Sequence, residues 1–235
     1  MEDDILQEQI AYYRARAQTY DEEILGSSFF DASDEEAGHR EGELATATHI
    51  LARMGPFDRV LELACGTGIW TRILVKIGRE VTAVDAAPEM LEIARQKLDS
   101  AHIRFQQADL FHWDPGEEYD LVFFASWLSH VPPAALDSFL DKVRRAVAPG
   151  GLLAIVDEYA PTEEDRLVAK GDTYATRPLR DGRTFTIVKV FYDLAFLEDK
   201  LNRLGFEVET QRVGDSFFFL SAILERDGLF THKFG

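Results

Sequence analysis

Cysteine is nearly absent from this chain of 235 residues: Cys65 stands alone. A single thiol excludes an internal disulfide and offers no cysteine cluster for zinc. Positive charge is also scarce, with 25 Lys and Arg against 42 Asp and Glu, a formal net charge of -17 and a pI near 4.7. Such a surface repels a phosphate backbone, and no basic stripe interrupts it, so no nucleic-acid partner is expected. Long apolar runs are missing too. The longest, such as "LVFFASWL", are far too short to span a bilayer. The start "MEDDILQEQ" is acidic and lacks the basic-then-apolar order of a signal peptide. These absences predict a cytoplasmic protein with no membrane insertion. No carboxylate cluster resembles a metal site; Asp157-Glu158 is the nearest approach, and no metal is expected.

What is present is a hydrophobic content of 46%, enough for a sizeable α/β core. The first stretch, "DILQEQIAYYRARAQTYDEEIL", sets Ile5, Ile10, Tyr13 and Ala17 near helical spacing. "GELATATHILARMG" is a second helix. From Val60 onward strand and helix alternate: "RVLELAC", "EVTAVDA", "HIRFQQADL", "YDLVFFAS" and "GLLAIVDE" read as strands, with helices between most of them. That alternation means right-handed crossovers and a largely parallel sheet covered on both faces. At the tail, "FEVETQRV" and "SFFFLSAILER" are joined by a short Gly-Asp turn, which forces an antiparallel pair. Between lies "RPLRDGRTFTIVKV", two extended runs around Asp181-Gly182, a hairpin signal. The chain therefore reads as one domain over 1–235. Residues 1–55 form N-terminal helices, 56–158 the core, 159–192 a cap insert, and 193–235 a last helix and two strands.

"VLELACGTGIW" runs from a buried strand into a glycine turn, which points to a nucleotide. Asp85 ends the next strand and suits ribose hydroxyls. A pyrophosphate coenzyme fits poorly for two reasons. The third small residue of G-x-G-x-x-G is lost, since Thr71 stands there. Glu62 also precedes the turn, and a carboxylate beside a pyrophosphate costs on the order of several kcal/mol at an effective dielectric near 20. A cationic, phosphate-free ligand reverses that sign.

At this point the sequence resembles the class I S-adenosylmethionine-dependent methyltransferases, in particular the small-molecule branch of the ubiquinone/menaquinone-biosynthesis type. "VLELACGTG" is similar to the first motif, with Ala64 in place of its first glycine and Gly66 in the turn. The resemblance implies an α/β fold: a Rossmann-like, doubly wound, seven-stranded, mostly parallel sheet with an antiparallel last strand, an N-terminal helical lid and a hairpin-containing cap. It implies S-adenosylmethionine as cofactor and S-adenosylhomocysteine as product. "VTAVDAAPEML" implies Asp85 on the ribose, with Ala86 and Met90 flanking adenine. "QQADL" implies Asp109 on the adenine amino group and the Leu110 amide on a ring nitrogen. "YDLVFFASWLSHV" implies Ala125 beside the amino-acid part of the cofactor. "YRARAQTYD" implies Tyr13 and Tyr20 over its methionine moiety, and Glu62 is expected to favour its positive charge.

On the acceptor side, His130 in "SWLSHVPP" is either a general base or a histidine bonded to backbone in a turn. Trp127, Tyr159, Arg183 and Tyr192 are candidate substrate contacts. Cys65 reads as a filler in the turn. The expected activity is methyl transfer to an O, N or C atom of a small, partly apolar metabolite. Two alternatives stand beside it: a catalytically silent cofactor-binding homologue acting as a partner subunit, and a nicotinamide oxidoreductase. The hairpin either covers the substrate or stabilises the domain or a homodimer.

Overall fold

The computed structural model describes residues 2–25, 34–98, 101–158 and 173–226. Three helices come first: α1 (Glu2–Arg16), α2 (Tyr20–Leu25) and α3 (Asp34–Ala52). Then β1 (Phe57–Leu63), α4 (Thr71–Ile77), β2 (Gly78–Asp85), α5 (Pro88–Lys97) and β3 (Ile103–Gln107) wind in one direction. The chain next crosses to the far side of β1 with β4 (Tyr119–Ala125), α6 (Pro133–Ala146) and β5 (Val147–Glu158). It closes with α7 (Leu194–Arg203), β8 (Phe206–Val213) and β9 (Phe217–Leu224). The sheet order is β3-β2-β1-β4-β5-β9-β8, with β9 antiparallel to both its neighbours. The order reverses between β1 and β4, and open α/β sheets bind ligands outside the strand ends at such a switch point.

The run "LVFF" in β4 shows why the core holds. Leu121 and Phe123 face one side of the sheet, against Leu51, Leu74 and Phe219. Val122 and Phe124 face the other, against Phe139, Leu197 and Phe218. The period of two places all four residues in full burial, as a strand covered on both faces requires.

The expected hairpin exists as β6 (Tyr174–Pro178) and β7 (Thr184–Val188), turning at Asp181-Gly182, and forms its own two-stranded sheet. It rests on α1: Gln9 Oε1 accepts from the Val188 amide at 3.0 Å, and Glu8 Oε1 from the Thr186 amide at 2.6 Å. Asp21 of α2 accepts from the Thr67 hydroxyl and pairs with Lys97 of α5. Arg14 forks onto Glu89 at 2.8–3.1 Å. Lid helices and hairpin thus close together over the strand ends. Among the described residues no helix is long and apolar enough to cross a membrane, and no cluster of three metal-ligating side chains exists.

Candidate functional site

A cleft lies across the ends of β1, β2, β3 and β4, roofed by α1 and α2. Four strand ends supply its floor. After β1 come Ala64 and Gly66, both with positive φ (53° and 54°), so the backbone turns sharply and presents itself to the cleft. Gly68 (φ 85°) packs so close to α5 that a Cβ would stand 2.7 Å from Leu98. Ala64 has no glycine's freedom, and its left-handed backbone carries a strain of about 1–2 kcal/mol. Ser126, after β4, lines the same cleft with φ 50°.

After β2, Asp85 fixes the turn. Its two oxygens accept from the Gly66 and Ala87 amides, each at 2.8 Å. Burial raises its pKa, and these amides pull the other way. Ala86 and Met90 line the wall beside it. After β3, Asp109 accepts from the Phe111 amide at 3.0 Å and pairs with His112 at 3.0 Å, while Leu110, 2% exposed, lines the cleft beside it. Ala125 and Trp127 complete the β4 side. Tyr13 and Tyr20 come down from the lid, their rings 6.2 Å apart, with the Arg16 guanidinium over both.

His130 is buried on a short 3₁₀ turn, Leu128–His130. Its Nδ1 lies 2.7 Å from the Val188 carbonyl, and its Nε2 lies 2.7 Å from the Tyr13 hydroxyl. A carbonyl only accepts, so Nδ1 carries the proton, Nε2 accepts, and Tyr13 donates. Burial, then the positive charges of Lys189 and Arg177, push the His130 pKa down to about 3; the Val188 bond and Glu158 oppose this. Burial also raises the Tyr13 pKa well above its ordinary value. Lys189 is held on Glu158 at 2.5 Å.

Three of the expected site residues do not line the cleft. Glu62 does not reach the cleft wall. It is 2% exposed beneath the turn, where Oε2 accepts from the Thr71 hydroxyl at 2.5 Å, and burial pushes its pKa up to about 8. A buried carboxyl whose hydrogen-bond partner is a neutral hydroxyl is held toward its protonated form. Arg183 stands exposed at the hairpin tip, paired with Asp181 at 2.7 Å, away from the cleft. Tyr192 donates to the Val131 carbonyl at 2.7 Å, stacks on Phe196 and is not among the residues lining the cleft. Tyr159 lies outside the described residues. The sequence reading missed Gln9, Ile10, Ala87, Phe111 and Ser126 as lining residues. Gln9 and Tyr13 are four apart on one helix, so their shared face was a usable signal.

A family model described as "Methyltransferase domain" matches residues 60–151. Among solved structures, DhpI complexed with SAM and HEP is 38% identical, with a TM-score of 0.76, covering 93% of this chain and 97% of that one. Among curated relatives, the trans-aconitate 2-methyltransferase of Paracidovorax citrulli is 37% identical over 46% of this chain and 43% of its own length. A ubiquinone biosynthesis O-methyltransferase of Xanthomonas campestris is 32% identical over 57% of each. The matched segments thus span about half of these curated relatives. The chain belongs to the class I S-adenosylmethionine-dependent methyltransferases.

Proposed function

We propose that this chain transfers the methyl group of S-adenosylmethionine to an oxygen atom of a small, partly apolar acceptor. The observation that carries this reading is one cleft with two unlike ends. At one end two carboxylates, Asp85 and Asp109, stand at successive strand termini. At the other, Tyr13 and His130 share a hydrogen bond among Ile10, Phe111 and Trp127. The first end suits a nucleoside that carries hydroxyls and positive charge. The second suits an acceptor with an apolar body and a polar tip.

Asp85 would accept from the ribose hydroxyls, with Ala86 and Met90 against adenine and Asp109 and Leu110 at its edge. Ala64, Gly66, Ala125 and Tyr20 would border the amino-acid part. Asp85 rather than Glu62 supplies the nearby negative charge. When bound, the cofactor supplies an electrophilic methyl group on a cationic sulfur. The chain then has to align the acceptor and exclude water, and positioning of this kind is worth roughly 7–11 kcal/mol. The roof of α1 and α2 serves both ends, with the hairpin bonded to α1. The indole N–H of Trp127 is buried without a partner among the described residues. A buried orphan donor costs about 1–3 kcal/mol, which an acceptor oxygen would recover. The name of one relative, a ubiquinone biosynthesis O-methyltransferase, supports an oxygen nucleophile.

The test is a screen with methyl-labelled S-adenosylmethionine against small hydroxy and carboxylic acids and phenols. The reading expects label in an ether or ester product with matching S-adenosylhomocysteine. Transfer only to nitrogen or carbon would correct the class of acceptor. Cofactor binding with no transfer to any acceptor would favour a silent binding subunit.

A further inference from the structure

The valences around His130 leave it no open position toward the cleft. Nδ1–H is committed to the Val188 carbonyl, and Nε2 receives the Tyr13 hydroxyl proton, each at 2.7 Å. His130 is 6% exposed, and the Gln9 amide closes on its backbone carbonyl at 3.3 Å. Tyr13 differs. Its oxygen donates its single proton to His130 and still has lone pairs free for one more donor. The Tyr13 oxygen can therefore accept a proton from an acceptor bound against it.

We propose that Tyr13 is a catalytic residue: its oxygen takes the proton of a hydroxyl acceptor while its own proton moves to His130 Nε2. This rests on the methyl-transfer reading above. The bonds balance as follows. The acceptor oxygen forms a bond to the methyl carbon as the carbon–sulfur bond breaks, and that electron pair stays on sulfur. The acceptor O–H bond breaks, and its proton goes to the Tyr13 oxygen. The former Tyr13 proton resides on His130, making an imidazolium whose Nδ1–H still points at Val188. After product leaves, the proton returns through Tyr13 to water.

Neither residue does this alone. Burial keeps the phenol protonated, so Tyr13 is no phenolate base. The low basicity of His130 bars it from stripping a resting hydroxyl. It suffices once the methyl is partly transferred, because the oxygen is then an incipient oxonium and far more acidic than imidazolium. Lys189 and Arg177 on the hairpin side hold the imidazole neutral between turnovers, and Glu158 tempers them.

The competing account is a clasp that only fastens α1 to the 3₁₀ turn. Tyr13→Phe separates the two in the full chain. First, ¹⁵N NMR of His130 should show a protonated Nδ1 and a hydrogen-bonded Nε2, the latter resonance shifting in Tyr13→Phe; no shift overturns the geometry. Second, transfer is followed at about pH 7.5 with catechol, which is mostly protonated there, and with 4-nitrophenol, which is mostly ionised. The relay predicts a loss of about 100-fold or more in kcat on catechol and under about 5-fold on 4-nitrophenol. Equal losses on both, or none on either, overturn it and leave a clasp. S-adenosylhomocysteine affinity is measured on both proteins. Failure of the wild-type chain to bind it overturns the methyl-transfer reading itself, whereas binding with no transfer to either phenol overturns the relay to phenolic hydroxyls and leaves that reading to the wider acceptor screen.

Discussion

Glu62 and Asp85 stand a turn apart in function though both are acids at strand ends. Asp85 is satisfied by two amides and reaches the cleft. Glu62 has one hydroxyl partner and no route to it. Its pKa near 8, against an ordinary 4.5, fixes the sign of a stability effect. Below the lower value both folded and unfolded chains carry the proton, and burial costs little. As pH rises from about 4.5 through about 8, the unfolded chain ionises first and the fold loses stability, on the order of 3 kcal/mol by neutral pH. Glu62→Gln keeps an acceptor for Thr71 and cannot ionise. Urea unfolding at about pH 5 and about pH 8 should therefore show a smaller decline for the variant than for wild type. Parallel declines would mean that Glu62 is not the buried acid responsible. This residue also marks a limit of sequence reading. An acid before the turn was legible, but which way its side chain faced depended on Thr71, nine residues on.

At the scale of elements, strands and helices were legible because their periods are local. "LVFF" announced a strand buried on both faces, and the Gly-Asp turn announced the antiparallel pair. The docking of the lid was not legible. Gln9 meets Val188 across 179 residues, and Asp21 meets Thr67 across 46. No local pattern encodes such pairs. The same distance hid the surroundings of Arg183, which pairs with Asp181 at the hairpin tip, and of Tyr192, which donates to the Val131 carbonyl. The Asp21 contacts carry a consequence. They latch α2, and with it Tyr20, over the glycine turn. Losing one charge-assisted bond of this kind costs about 1–2 kcal/mol after allowance for partial exposure. Asp21→Ala should speed dissociation of S-adenosylhomocysteine by about 5- to 10-fold in stopped flow, because the lid opens more often. An unchanged rate would show that α2 does not gate the cleft.

For the whole molecule, the sheet order sets where a ligand binds and the charge sets which kind. The reversal between β1 and β4 brings four strand ends into one cleft. A net charge of -17, with Asp85 and Asp109 at that cleft, favours a cation over a pyrophosphate. The S-adenosylmethionine class was thus legible from the motifs and the charge together. The acceptor was not, because its end is assembled from α1, the turn after β3 and the 3₁₀ turn after β4, segments far apart in the chain. The central claim is that the cleft holds a sulfonium donor by its acidic strand ends. Calorimetric titration of the full chain with S-adenosylhomocysteine and, separately, with NAD tests it most directly. The account predicts one site per chain for S-adenosylhomocysteine, lost in Asp85→Ala, and no measurable heat with NAD. Saturable binding of NAD alone, or full retention of S-adenosylhomocysteine by Asp85→Ala, would contradict it.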